Sequence, residues 1–367
     1  MGSIEISTEV IEQPPTWHKS IHEYLDEYNL KCRKATPLQG GASAYIWKIE
    51  GLTKDGSEPR PKPQGRAASE VCILKYGDET AKSVASLELE PNRMLAEARA
   101  MQSKIVRRVC YEEPSVEVPR MVSKTDQAVI MSWAGDTDLR SALIADKNLD
   151  AQDIGSRLGR WIATLHLAGI DDAEVRDWSS ATAKSVMKNE EDNLCAKLSK
   201  DSHFTEEDIE KAGSVYHGSD VTKTLAVWDF RPMNTLLRPG PSAERPRVTV
   251  VDWEVASYGD AAWDVRLWAA EAIVLESQHG SERGLLQSFL TAYRERAGER
   301  LVDLKFVCRV AVLIGGIWEL LMPCSIWDIE EGEDAESWRK EGHQYVRAGI
   351  DADREWLLKS RLAPLLQ

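Results

Sequence analysis

Val248-Thr249-Val250-Val251-Asp252-Trp253-Glu254-Val255-Ala256-Ser257-Tyr258-Gly259-Asp260-Ala261-Ala262-Trp263-Asp264 is the stretch around which the rest of the chain is read. Four β-branched residues open it as a short buried strand. The strand stops at two carboxylates, Asp252 and Glu254, with Trp253 between them. A Gly-containing turn then leads into a new helix carrying Asp264. A strand that delivers acids at its C-terminal end can hold a divalent cation, because hard cations prefer oxygen donors. Upstream, Asp229-Phe230-Arg231-Pro232-Met233-Asn234 adds another acid, with an amide side chain five positions later.

Moving outward, Leu225–Trp228 reads as a strand entering that loop. Thr235–Leu237 and Val248–Val251 read as a hairpin joined through Pro239-Gly240-Pro241. Near the start of the chain, Thr16–Tyr28 has the spacing of a short amphipathic helix. Ala35–Ile49 is expected to be a second hairpin, whose turn, Gly40-Gly41-Ala42-Ser43, has no bulky side chain. Bare amides in such a turn can lie against phosphate oxygens. Gly51–Ser69, rich in Pro, Gly and charge, reads as a mobile surface loop. Val71–Tyr76 is a strand with Lys75 near its end, and Glu90–Val106 a helix on which Glu97 sits among apolar neighbours. Two extended runs follow, near 116–122 and at Ala128–Met131; the second runs into Ser132-Trp133-Ala134-Gly135-Asp136, a suitable link between lobes. Ile154–Leu167 carries a strongly apolar stripe, where His166 reads as a satisfied core or boundary histidine. Residues 173–211 read as helical, and after Asp264 the chain is helical to its end. Strands with one helix first and mostly helices afterwards indicate an α+β fold class.

The formal charge of −14 argues against nucleic acid or an anionic membrane as main partner, since both reward basic surfaces. Six scattered cysteines without C-x-x-C spacing read as reduced core thiols of a cytoplasmic protein, with neither a disulfide framework nor a zinc site. The first residues contain acids and no apolar run, so no signal peptide is expected. Val307–Met322 is broken by Arg309 and Glu319, so no membrane span is expected either.

A D-x-x-x-x-N match alone is weak. Its order along the chain is stronger: Gly-rich hairpin, strand lysine, helix glutamate, apolar hinge strand, D-x-x-x-x-N, strand-end aspartate. That is the order kinase chemistry demands. From Leu38 to about Trp268 the chain resembles the aminoglycoside phosphotransferase and choline kinase superfamily, small-molecule kinases with a protein-kinase-like fold. Members typically show H-G-D-x-x-x-x-N, a strand ending I-D-[WFP]-E, then G-x-x-x-x-D. The matching positions here are Asp229 to Asn234, Asp252-Trp253-Glu254, and Gly259 to Asp264. The D-x-E pair and the Gly-Gly-Ala-Ser hairpin look closer to choline, methylthioribose and fungal hydroxytryptamine kinases. One departure is plain: Val227-Trp228 replaces the usual His-Gly, which alters the support of the loop. His217-Gly218-Ser219-Asp220 imitates the motif, but five positions after Asp220 stands Leu225, which cannot bind magnesium.

The resemblance implies a bilobal architecture: an antiparallel sheet with a helix over 1–131, a hinge at 132–136, and a helical lobe over 137–367. It implies ATP and Mg2+ as cofactors and a small-molecule hydroxyl, on an amino alcohol, sugar or specialised metabolite, as acceptor. Asp229 would act as base, with Arg231 stabilising the transferring charge. Gly40, Gly41, Ala42, Ser43, Lys75 and Glu97 would serve the phosphates, and Met131, Ser132 and Trp133 would frame the adenine. Asn234, Asp252 and Glu254 would hold the metal. Asp229, Trp268, Glu271 and Trp318 are candidates to meet the acceptor, although most tryptophans in this region are expected simply to pack helices. A non-catalytic nucleotide-binding scaffold is the competing reading. Protein phosphorylation is disfavoured, because no segment ending in A-P-E follows Asp252. A monomer or homodimer is expected.

Overall fold

A computed structural model describes residues 20–38, 43–54, 71–80, 82, 89–90, 92–218, 221–240, 245–322, 324 and 327–367. The chain divides into two compact units: Met1–Ser103 with Pro119–Ala134, and Lys104–Val118 with Gly135–Gln367.

The first unit is built on β1 (Lys34–Pro37), β2 (Ala44–Glu50), β3 (Val71–Gly77), β4 (Met121–Lys124) and β5 (Ala128–Ser132). They form one antiparallel sheet in the order β1-β2-β3-β5-β4. Side chains alternate across a strand, so Tyr45, Trp47 and Ile49 of β2 join Cys72, Leu74 and Tyr76 of β3 on one face. That face forms a core with Tyr24 and Leu25 of helix α1 (Ile21–Glu27). Ser20 and Glu23 cap α1 reciprocally. Lys75 takes the opposite register, towards α2 (Arg93–Gln102), which packs on β3, β4 and β5. The expected hairpin at 35–49 is the β1–β2 pair, while its Gly40-Gly41-Ala42 turn lies outside the described residues, as does most of the expected loop at 51–69.

One expected element divides in two. Helix 90–106 breaks at Ser103, whose extended backbone separates α2 from α3 (Lys104–Glu112). Apolar positions continue at helical spacing across the break, from Met94, Ala98 and Met101 to Ile105, Val106 and Val109, so periodicity alone does not mark it. α3 belongs to the second unit.

In that unit, α4 (Leu139–Ala145), α5 (Ala151–Gly169), α6 (Ala181–Leu198) and α7 (Glu206–His217) precede a set of short strands. These are β6 (Lys223–Ala226), β7 (Thr235–Arg238), β8 (Arg247–Val250) and β9 (Ser257–Asp260). The hairpin β7–β8 is flanked by the two-residue strands Thr137–Asp138 and Val116–Glu117. β9 pairs antiparallel with β6, so the Gly-containing segment expected as a turn is in part a strand, although Ser, Gly and Asp are poor strand formers. Then come α8 (Ala262–His279), α9 (Leu285–Ala297), α10 (Leu304–Leu321), α11 (Glu333–Ile350) and α12 (Arg354–Leu357). α5 lies close along α9 because a β-carbon at Gly155 or Gly159 would collide with the carbonyls of Leu285 and Phe289. Among the described residues no helix is long and apolar enough to cross a membrane.

Candidate active site

After β6 the backbone swings through Trp228, whose φ of +71° is uncommon for a residue with a β-carbon. Two restraints hold it there. The amides of Val227 and Trp228 donate to the Asp264 carboxylate at 2.8 and 2.6 Å. The Trp228 ring stacks on Trp263 with centroids 4.7 Å apart. Asp264 is fully buried, and Nε2 of His166 approaches it at 3.0 Å, while His166 Nδ1 and the Tyr293 hydroxyl share a 2.8 Å hydrogen bond. A histidine from α5 thus braces the loop at a point where the loop's own sequence has valine. His166 is satisfied and fully buried, as its place in an apolar stripe indicates.

The loop is anchored from beneath by Phe230. Its side chain is fully buried and stacks on Trp268 at 5.0 Å, and Trp268 stacks on Phe289 at 4.9 Å. Asp229 beside it stays open, with 36% of its side chain exposed. Asn234 Nδ2 donates to Asp229 Oδ2 at 2.6 Å and to its carbonyl at 3.0 Å, closing the D-x-x-x-x-N loop on itself. Arg231 Nη1 stands 4.0 Å from Asp229 Oδ1. Although part of the side chain reaches the surface, the surrounding protein strips hydration from the Asp229 carboxyl and pushes it up; Arg231 opposes this, Asp252 adds to it, Asn234 opposes and Glu254 adds, leaving it at about 7. That places the group near the proton affinity suited to a base at neutral pH.

Arg231 itself is gripped by Glu271 of α8, through Nε to Oε2 at 3.0 Å and Nη2 to Oε1 at 3.3 Å. Burial pulls the guanidinium down, but Glu271 and then Asp229 more than offset it, so Arg231 stays above its ordinary value.

Asp252 follows β8 at φ +66°, again left-handed. The Val251 amide donates to the Asn234 carbonyl at 2.9 Å, tying this strand end to the Asp229 loop. Trp253 is fully buried, donates from Nε1 to the Val250 carbonyl at 3.2 Å and meets Trp161 edge-on. With Trp253 turned inward, the residues on either side bring one oxygen each within 4.8 Å of the other, Asp252 to Glu254.

In the first unit, Lys75 Nζ and Glu97 Oε2 meet at 2.9 Å, with side chains 7% and 1% exposed. Glu97, which the sequence sets among apolar neighbours, is thus buried against the lysine. Arg93, one helical turn earlier, is buried too. It donates to the carbonyls of Ser43 and Asp78 at 2.8 and 2.5 Å, fastening the strand ends of β2 and β3 together. An arginine in an otherwise amphipathic helix gives no sequence signal for that role. Met131 is buried, Ser132 accepts from the Arg120 amide at 2.9 Å, and the Trp133 ring lies under Lys48 Nζ at 4.1 Å.

Of the residues assigned to the acceptor, Glu271 meets Asp229 only through Arg231. Trp268 belongs to the aromatic stack under the loop. Trp318 is fully buried against Trp338 and Tyr345, at 5.0 and 5.3 Å.

The model of the phosphotransferase enzyme family matches residues 87–302, more than half of the chain. The chain belongs to that family. The match spans Glu97, the Asp229–Asn234 loop, Asp252, Glu254, Asp264 and Glu271 of this phosphotransferase, and it bears out the superfamily resemblance drawn from the motifs. No curated protein matches by sequence. Among solved structures the phosphotransferase is similar to the ADP-bound aminoglycoside phosphotransferase APH(2'')-Ib, at 16% identity and TM-score 0.47, covering 90% of this chain and 98% of that one. A putative aminoglycoside phosphotransferase from Ralstonia eutropha has 14% identity and TM-score 0.49, covering 91% and 97%. A choline/ethanolamine kinase family protein from Mesorhizobium loti has 12% identity and TM-score 0.44, covering 90% and 92%.

Proposed function

We propose that this phosphotransferase moves the γ-phosphoryl group of ATP, with magnesium, onto a hydroxyl of a small molecule such as an amino alcohol, a sugar or a specialised metabolite. The observation that carries the reading is Asp229: a partly exposed carboxyl held by Asn234 at 2.6 Å and faced by Arg231. That carboxyl accepts the acceptor's hydroxyl proton as the new bond to phosphorus forms. Nη1 of Arg231 faces the same carboxylate and stabilises negative charge passing through the site. Lys75, fixed by Glu97, would contact the phosphates, and Met131 to Trp133 would frame the adenine.

The donor chemistry fits a hard dication. Asp252 and Glu254 offer carboxylate oxygens within 4.8 Å of each other. Asn234 turns its nitrogen to Asp229, which leaves the amide oxygen as a neutral donor. When bound, magnesium would draw charge off the phosphoryl oxygens.

The test is an ATP-consumption screen against amino alcohols, sugars, hydroxyindoles and protein, run beside Asp229→Asn. Phosphate appearing on a small alcohol only, and only with intact Asp229, is the expected result. Transfer to protein alone, or none to any acceptor, would refute the assignment.

A further inference from the structure

Glu271 has no role in the chemistry as set out above, yet it is placed where a carboxylate is expensive. It sits within α8, 1% exposed, among alanines and tryptophan. Both of its oxygens face one guanidinium edge, 3.0 Å from Nε and 3.3 Å from Nη2 of Arg231. Paired contacts of this kind fix the plane of an arginine as well as its position. Met233 Sδ, 3.4 Å from Nη2, closes the same edge. What is left is Nη1, and it faces Asp229 Oδ1 at 4.0 Å. Arg231 is itself only 18% exposed, so water competes weakly for this arrangement.

A pair kept only for stability has a simpler substitute, since well-packed apolar residues serve as well or better in such places. The charge sits in the loop that carries the candidate base, and it is aimed at that base. We propose that Glu271 is a positioning residue: acting through Arg231, it sets the guanidinium that holds Asp229 ready to take the acceptor proton, and it does not touch the acceptor. The inference rests on the reading of Asp229 as the base.

The experiment uses the full chain and MgATP with water as acceptor, comparing wild type, D229N, E271Q and the double variant R231M/E271L. Misplacing a reacting group by about 1 Å can cost ~10²-fold. E271Q is therefore expected to lower kcat by about 10- to 100-fold while KM for MgATP stays within about twofold, as for loss of a group acting in the chemical step. R231M/E271L is expected to recover the thermal midpoint lost in E271Q, because the apolar pair packs, without recovering kcat. Recovery of kcat in the double variant would reduce the pair to a structural one and overturn the proposal. So would wild-type kcat in E271Q while D229N is inactive. Wild-type kcat in D229N would instead remove the base assignment.

Discussion

Trp228 occupies a backbone region that costs an L-residue roughly 1–2 kcal/mol and that glycine adopts freely. Trp228 stands where the motif resemblance has glycine, and its backbone is left-handed. Two substitutions separate strain from stacking. Both W228A and W228G lose the contact with Trp263, but only glycine relieves the left-handed φ. Alanine normally exceeds glycine in stability by about 0.5–1 kcal/mol. At this position urea denaturation is expected to show W228G at least as stable as W228A, and the ordinary order would show that no strain is held there. Asp229 gives a second prediction at this scale. Its folded value of about 7 exceeds the usual 3.8, so protonation removes the base as pH falls through the upper value. The acidic limb of kcat/KM should lie well above the carboxylate range and move down as magnesium rises, because Asp252 and Glu254 contribute to the lift. A limb near 4, unmoved by magnesium, would contradict this. Asp229, Asn234, Lys75 and Glu97 could be picked from the sequence because spacing and order single them out. The brace from His166 to Asp264, the Arg93 contact with Ser43 and the Glu271 grip could not, since each depends on a partner 40 or more residues away that no local pattern names.

At the scale of elements, the loop is held between an aromatic stack below and a carboxylate behind. Phe230 is fully buried between Trp161, Trp268 and Phe289. Removing such a ring from a packed core costs roughly 3–5 kcal/mol. F230A should therefore lower the urea midpoint strongly with an unchanged m value; a loss below about 1 kcal/mol would show that the site collapses around the gap. Most elements were legible because their burial repeats with a strand's or a helix's period. Ser257–Asp260 was not, because its pairing with β6 comes from register with a distant strand and not from propensity. The break at Ser103 escaped for the opposite reason, an apolar repeat that runs through it.

For the molecule as a whole, the phosphotransferase combines a sheet unit carrying a buried lysine–glutamate pair with a helical unit carrying Asp229 and the acids of the strand end. Their roles predict different losses. Asp252→Ala should weaken ADP binding in the presence of magnesium and leave it nearly unchanged in EDTA, whereas Lys75→Met should weaken both, as isothermal titration would report. Equal affinities for D252A and wild type in magnesium would refute the ligand role of Asp252. The central claim, that Asp229 takes the proton of a small alcohol as phosphate is transferred, is tested most directly by Asp229→Asn. A positioned base contributes about 10²–10⁴-fold. Turnover of the acceptor found in the screen should fall by at least about a hundredfold, with MgADP affinity kept within about threefold, as expected for loss of an interaction made only in the transition state. Turnover within about threefold of wild type would leave the protein without the base proposed for it, since a positioned base is worth far more than that.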